Sequence, residues 1–494
     1  MSKYILSIDQ GTSSTKVLLF DEQGKAVCKS TESLKSIFSG EGFVEQDPRG
    51  IYENVLTSVR NCVDSFVAGG GRVEDIEACG ISNQRETFVI WDAAGTPLHN
   101  AVVWQCKRSI GVCARLSEEG LGEAINKKTG LIIDPYFSGT KLIWLYENVQ
   151  TVRRAVDEGQ AYFGTVDTWL LFCLTKGLKY QTDYTNASRT MFFNLHTLAW
   201  DKELLEAFGL SKLNLPEPNP SSYLFGETDF EGLIGRKIPI SSMIGDSHAA
   251  AFGEGCFLPG SAKATLGTGC SILMNIGSEP RISGNGMITT ICWSTASQVD
   301  YALEGVIVSC GATLEWLKNE LCLFDDLRQT ESLANSVADT NGVYVIPAFS
   351  GLGAPYWQMN RKASINGLTF GAAKSHIIRA ALESIPYQIK DVITAMEEDT
   401  GIELQELMVN GGITANGFVL QFLADLLDKE VANRGLPDVS ALGAAYLAGL
   451  QCGVYRDLDQ LGSLNAKSAA HYPSEDLAAV THAYAGWKAA IAGC

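Results

Sequence analysis

Apolar and polar positions along this chain come in short blocks. Near the N-terminus, Tyr4-Ile-Leu-Ser-Ile8 and Lys16-Val-Leu-Leu-Phe20 flank the small polar segment Asp9-Gln-Gly-Thr-Ser-Ser14, and Asp21-Glu-Gln-Gly24 follows as a second turn. Apolar runs of this length, bounded by Gly, Asp and Ser, predict strands joined by turns. The arrangement returns at Ala262-Lys-Ala-Thr-Leu266, Gly267-Thr-Gly269 and Cys270-Ser-Ile-Leu-Met-Asn275. Two halves that each open on strand, turn and strand predict an internal structural duplication. Between them, Glu77–Ile81 and Thr87–Trp91 read as strands flanking Ser82-Asn-Gln-Arg-Glu86. Helical periodicity runs over Ile377–Glu398 and Gly417–Leu427, and Ala441–Gly449 reads as a small-residue helix suited to close packing. This alternation predicts an α/β fold. The Pro-rich Leu215–Pro220 predicts a rigid surface loop. A domain boundary is expected at 253–260, giving domains 1–253 and 254–494.

Composition narrows the class. At about 150 residues per domain, 494 residues allow two large domains or three small ones. With 46% hydrophobic and 19% charged residues, a disordered chain is excluded. The formal net charge of −18 argues against nucleic acid and against anionic lipid surfaces. No apolar run approaches a membrane span, so no membrane insertion is expected. The 13 cysteines are scattered without a CxxC pair, and no histidine stands near Cys106 and Cys113 at metal-ligand spacing. Reduced thiols in a cytoplasmic protein follow.

Several segments carry chemistry. Asp9-Gln-Gly-Thr-Ser-Ser14 sets a carboxylate beside Gly and hydroxyls, with Lys16 close by. That set suits a metal-bound polyphosphate, and equally an ordinary hairpin turn. Gly267-Thr-Gly269 and Val409-Asn-Gly-Gly-Ile-Thr-Ala-Asn416 are further places for close backbone approach. Three such loops favour a nucleotide. Asp246, at a strand-to-helix junction, is either a base that accepts a hydroxyl proton or a helix N-cap. Gly245-Asp-Ser-His248 also resembles a GDS-type esterase motif with Ser247 as nucleophile, but no Asp-x-x-His follows near the C-terminus. Arg85-Glu86 is a surface ion pair or a clamp for vicinal hydroxyls, with Trp104 and Tyr136 as its apolar wall or as core residues.

From about residue 3 to 490 the chain resembles the FGGY carbohydrate kinases, and within them the glycerol-specific branch. Tyr136-Phe-Ser-Gly-Thr-Lys-Leu-Ile-Trp-Leu-Tyr-Glu-Asn148 fits the first family signature. Ala363–Leu368, continuing to His376–Glu383, fits the second. Blocks at Ser82–Thr87, Val103–Cys106, Asp134–Thr140, Gly164–Trp169, Thr182–Arg189 and Pro347–Trp357 match in order. The resemblance implies two actin/hexokinase-like domains of ribonuclease-H type flanking an active-site cleft, and ATP-dependent phosphorylation of a polyol with Mg²⁺. It implies Asp9 as the metal-associated carboxylate and Thr12, Ser13, Ser14 and Lys16 as the first phosphate loop. Gly267, Thr268, Gly311, Glu315, Gly412 and Asn416 would contact the nucleotide. Arg85, Glu86, Trp104, Tyr136 and Ser247 would line the polyol pocket, with Asp246 as catalytic base. The expected partner is a small-molecule polyol, with a homo-oligomer left open.

Some positions depart from the family pattern. Lys16 stands for the usual Arg, Glu315 for Gln and Asn410 for Asp. Ser247 and Ser271 replace a Gln and a Phe, which predicts a roomier pocket and sets a longer polyol or ketose beside glycerol as alternative substrate. An actin-like ATP-binding protein without kinase activity is the reading from another class. The segment Glu231-Gly-Leu-Ile-Gly-Arg-Lys237 lacks most glycines of the loop that binds fructose 1,6-bisphosphate in some relatives, so no inhibition by that sugar bisphosphate is expected.

Overall fold

The computed structural model describes residues 3–40, 42–435, 438–465 and 469–493. The first half is built on strands β1 (Tyr4–Gln10), β2 (Ser14–Phe20), β3 (Ala26–Ser33), β4 (Ile76–Asn83), β5 (Ser222–Thr228) and β6 (Ile238–Gly245). They form one sheet in the order β5-β6-β4-β1-β2-β3. The second half supplies β7 (Ser261–Leu266), β8 (Cys270–Gly277), β9 (Ile288–Ser294), β10 (Val299–Ile307), β11 (Glu406–Asn410), β12 (Glu430–Asn433) and β13 (Ala469–His471), in the order β9-β10-β8-β7-β11-β12-β13.

The expected duplication is present in the topology. Reading β3-β2-β1-β4-β6-β5, successive pairs are antiparallel, antiparallel, parallel, parallel and antiparallel. Reading β10-β8-β7-β11-β12-β13 gives the same series. Strand β1 is apolar on both faces (Ile5 on one, Leu6 and Ile8 on the other), whereas β7 buries Ala262, Ala264 and Leu266 on one face and carries Ser261, Lys263 and Thr265 on the other.

The helices that matter for the site are α1 (Pro48–Ala68), α2 (Ser138–Asn148), α3 (Asp246–Gly253), α4 (Gly311–Asn319), α5 (Lys374–Thr400), α6 (Gly417–Leu427) and α7 (Val439–Gln451). The small-residue helix α7 lies far along the chain yet packs on β1, β4 and β6 of the first sheet and against α3. Its carbonyls are tied by serines of that sheet. Ser7 Oγ donates to Ala441 O at 2.6 Å, Ser242 Oγ to Ala444 O at 2.7 Å and Ser222 Oγ to Leu447 O at 3.0 Å. A Cβ on Gly443 would lie 1.8 Å from Ala249 O, so only glycine permits this approach.

Three sequence-based details change. The Pro-rich loop at 215–220 contains a short strand, Glu217–Asn219, paired in parallel with Gln181–Asp183. Ser82 and Asn83 belong to β4, not to the loop that follows. Asp246 is the first residue of α3, not its N-cap; Gly245 holds that position without a side-chain cap.

Candidate active site

The parallel strands β1, β4 and β6 end side by side, with Asp9 opposite Ser82 and Asn83 opposite Gly245. Carboxyl ends of parallel strands are where α/β sheets leave backbone groups and loops free to form a site. Here they open a cavity of about 360 Å³ lined by Asp9, Thr12, Lys16, Arg85, Glu86, Trp104, Tyr136, Asp246 and Ser247 from the first half. Lys263, Thr265, Ser271, Asn410 and Asp438 complete it from the second half. All the residues expected to bind a polyol meet in this cavity. Of the first phosphate loop, Thr12 and Lys16 line it, while Ser13, in the turn, and Ser14, the first residue of β2, are not among its lining residues.

Ser82 Oγ donates to Asp9 Oδ1 at 3.0 Å. Desolvation pushes the Asp9 pKa up to about 6, with Lys16 pulling it down and the nearby Asp246 raising it. Asp246 Oδ1 accepts the Ser247 N–H at 2.6 Å and stands 3.4 Å from Arg85 Nε.

Arg85 and Glu86 are neither on the surface nor paired with each other. Both are buried, and each is held by a residue from elsewhere. Arg85 Nη2 and Nη1 donate to Glu304 Oε1 and Oε2 at 2.9 and 3.2 Å. Arg189 Nε donates to Glu86 Oε1 at 2.5 Å, and Arg189 Nη1 lies 2.7 Å from Glu304 Oε2. Burial alone would raise the Glu304 carboxyl; Arg189 and Arg85 outweigh it and hold its pKa well below the usual range. Glu86 has φ +60°, a left-handed conformation uncommon outside glycine, that turns the backbone at the clamp.

The aromatic wall is fixed by polar contacts. Trp104 Nε1 donates to Thr12 Oγ1 at 2.9 Å, and Thr12 Oγ1 donates to Gln84 Oε1 at 3.1 Å. The Trp104 and Tyr136 rings meet edge-on at 5.6 Å. Lys141, on α2, points its ammonium back at Pro135 O, Tyr136 O and Phe137 O, at 2.8, 2.5 and 3.0 Å, which fixes the loop that carries Tyr136.

A second cavity of about 510 Å³ shares Arg85, Trp104, Tyr136, Thr265 and Ser271 with the first and extends over Ile132, Phe137, Val306 and Val308. Through Gly267 it meets a third, of about 810 Å³, lined by Gly267, Thr268, Gly311, Glu315, Gly412 and Asn416. Every residue expected to contact the nucleotide therefore faces one space. Gly311 N and Ala312 N, opening α4, donate to Gly267 O and Thr268 O at 2.9 and 3.1 Å. Asn416 caps α6 by accepting from Val419 N at 3.2 Å.

Lys16, expected in the first phosphate loop, lines the cavity with an ion-pair partner: Asp438 Oδ1 lies 3.1 Å from its Nζ. Ser247 does not suit a nucleophile. Its Oγ accepts from Lys263 Nζ at 2.6 Å, and the neighbouring His248 is buried with Nε2 3.3 Å from Thr290 Oγ1. Sequence reasoning missed Glu304, Lys263, Lys141 and Asp438. The signal for the first two was a charge inside an apolar strand run, Tyr301-Ala-Leu-Glu-Gly305 and Ala262-Lys-Ala-Thr-Leu266.

Known proteins share this architecture over its whole length. The chain is 46% identical over 493 residues to a glycerol kinase of Thermoanaerobacter sp. (strain X514), covering 99% of this chain and 98% of that protein. It is 44% identical over 490 residues to glycerol kinase 2 of Thermotoga maritima, covering 99% and 98%. The crystal structure of Plasmodium falciparum glycerol kinase with ADP superposes with a TM-score of 0.94 at 35% identity, covering 99% of this chain and 98% of that one. A xylulose kinase from Lactobacillus acidophilus shares the fold at a TM-score of 0.88 and 24% identity, with coverage of 99% and 98%. Residues 4–253 match the N-terminal domain model of the FGGY carbohydrate kinases and residues 262–452 the C-terminal one. With both halves matched and the cleft between them lined from each side, this chain belongs to the FGGY family of carbohydrate kinases.

Proposed function

We propose that the protein transfers the γ-phosphoryl group of ATP to a terminal hydroxyl of glycerol, giving sn-glycerol 3-phosphate and ADP. The observation that carries this reading is the placement of Asp246 in one cavity with Arg85, Glu86, Trp104 and Tyr136, next to a separate space lined by the nucleotide loops. Similarity to glycerol kinases along the full chain supports the choice of polyol.

In this reading Arg85 donates to one hydroxyl and Glu86 accepts from its neighbour, while Trp104 and Tyr136 cover the C–H faces. Asp246 accepts the proton of the reacting hydroxyl as its oxygen bonds to the γ-phosphorus. The bond from γ-phosphorus to the bridging oxygen breaks, and its electron pair leaves on ADP. Backbone N–H groups of the Gly267–Gly269 and Gly411–Gly412 turns receive the phosphates.

A divalent cation fits the donor set. The desolvated Asp9 carboxyl shares its cavity with Asp246, and Lys16 is already paired with Asp438. Asp9 would hold Mg²⁺ with water and phosphate oxygens, and the ion would neutralise phosphate charge. The reading keeps the domain division at 253/254 and the cytoplasmic setting expected from the thiols; the twelve described cysteines are all free. No described helix is long and apolar enough to cross a membrane.

One observation favours a second reading. Ser271 lines both the polyol cavity and the apolar cavity beside it, so the site extends beyond a three-carbon substrate. Comparing kcat/KM for glycerol, erythritol, xylitol and xylulose with an ATP-consumption readout decides between them. Glycerol is expected to lead; a clear lead for a four- or five-carbon substrate overturns the choice. ATP consumption that ignores every polyol returns the chain to a non-catalytic ATP-binding role.

A further inference from the structure

Three cations line the polyol cavity from its two sides, besides Arg189 behind it, and two of them are neutralised. Lys16 pairs with Asp438 at 3.1 Å, and Arg85 pairs with Glu304 at 2.9 Å and faces Asp246 at 3.4 Å. The third, Lys263, is 1% exposed and has no ion-pair partner among the described residues. Its Nζ donates to two neutral hydroxyls, Ser247 Oγ at 2.6 Å and Thr265 Oγ1 at 3.1 Å. An ammonium has three N–H donors, so one remains for a further acceptor.

Burial, at a cost to the charged form, and Arg85 nearby pull the Lys263 pKa down, while Glu304, Glu254 and Asp246 raise it without offsetting that cost. The group is placed where an anion would offset that cost. It lies on β7, two residues before Thr265 and four before the Gly267 turn, so its strand runs directly into the nucleotide cavity. In the other direction its partner Ser247 adjoins Asp246 in the chain. Lys263 thus stands between the group that takes the proton and the loop that receives the phosphates.

We propose that Lys263 binds a non-bridging oxygen of the γ-phosphoryl group of ATP and stabilises the charge on it during transfer. This rests on the polyol-kinase reading. The hydroxyl oxygen bonds to the γ-phosphorus, the bond to the bridging oxygen breaks with its electron pair leaving on ADP, and the hydroxyl proton passes to Asp246. Lys263 keeps its proton throughout and acts through charge and hydrogen bonding.

The test compares Lys263→Met with the unmodified full chain, measuring calorimetric binding of a β,γ-imido ATP analogue and of ADP, each with Mg²⁺, and steady-state kinetics. Affinity for the ATP analogue is expected to fall by about tenfold or more while ADP affinity stays within about threefold, because ADP has no γ-phosphoryl group. The kcat is expected to fall by about 100-fold or more with the polyol KM little changed. Lys263→Arg is expected to recover part of the loss. Equal weakening of both nucleotides, or a kcat within about threefold of the unmodified enzyme, overturns the proposal. If the Met variant does not fold, Lys263→Gln, which can still donate to Ser247 and Thr265, serves the same comparison. Should the unmodified chain phosphorylate no polyol, the functional reading fails, while the contrast between ATP analogue and ADP still decides the role of Lys263.

Discussion

Arg85, from the first half of the chain, gives both of its terminal nitrogens to Glu304, from the second, at 2.9 and 3.2 Å. Arg189 meets the same carboxylate, so one buried anion holds two guanidiniums and ties the expected polyol clamp to the opposite domain. Removing one partner of a buried pair costs about 3–5 kcal/mol. Glu304→Gln is therefore expected to lower unfolding stability by about that amount, read as a shift in urea midpoint. Freed from its anchor, Arg85 should also lose orientation, and the polyol KM should rise.

Asp246→Asn keeps the side-chain shape but removes the proton acceptor. The kcat is expected to fall by about 10²–10⁴-fold with the polyol KM close to that of the unmodified enzyme. Activity surviving within about tenfold would remove Asp246 from the role of base.

Lys141 gives a pH signature in stability. Burial pulls its pKa from 10.5 down to about 7, so between those values the unfolded chain binds a proton that the folded one does not. Stability contributed by this group therefore rises with pH across that window, by up to about 1.4 kcal/mol per pH unit, and is absent below it. Urea melts at pH values on both sides of neutrality should show the gap between the unmodified protein and Lys141→Met widening as pH increases. A gap that does not widen would mean that the three carbonyls hold the ammonium charged.

The neighbouring glycines Gly411 and Gly412 should respond differently. Gly411 has φ +101°, and a Cβ there would lie 2.3 Å from Leu266 O, whereas a Cβ on Gly412 meets nothing within 4 Å. Gly411→Ala is expected to destabilise the fold by about 1–3 kcal/mol from backbone strain, with the clash in addition. Gly412→Ala should melt as the parent does and lose nucleotide affinity, since it faces the 810 Å³ cavity. Thermal melts with ADP titrations separate the two.

Fructose 1,6-bisphosphate is expected to leave activity unchanged at millimolar concentration. In the 231–237 segment Glu231 adds a carboxylate, accepting from Tyr52 Oη at 3.0 Å, and Arg236 is committed to the backbone carbonyls of Glu74 and Ile76. A micromolar inhibition constant would contradict this.

Much of this was legible in the sequence because its signals are local. The paired hairpins at residues 4–20 and 262–275 announced the duplicated sheets, since strand and turn are written in adjacent residues. The loop glycines announced the nucleotide cavity in the same way. Glu304 and Lys263 were not legible. Their roles come from partners 219 and 16 positions away, and a charge in an apolar run does not say what it faces. Nor was the partner of Lys16 legible, because Asp438 comes beside it only through the packing of α7.

That helix also governs how the two halves can move. Along α7 the backbone of the second half rests directly on the first, with glycine against carbonyl and serine hydroxyls on peptide oxygens. Beside these contacts Leu442, Tyr446 and Leu447 pack in one buried cluster with Ile5, Leu18, Phe20 and Ile244 of the first half, so sliding one half over the other would break close packing and hydrogen bonds together. The start of the same helix, Val439 and Ser440, lines the polyol cavity, so the junction that joins the two halves also forms one wall of the site. Any closure of the nucleotide loops onto the polyol, excluding the water that would otherwise take the phosphoryl group, would have to keep this wall in place.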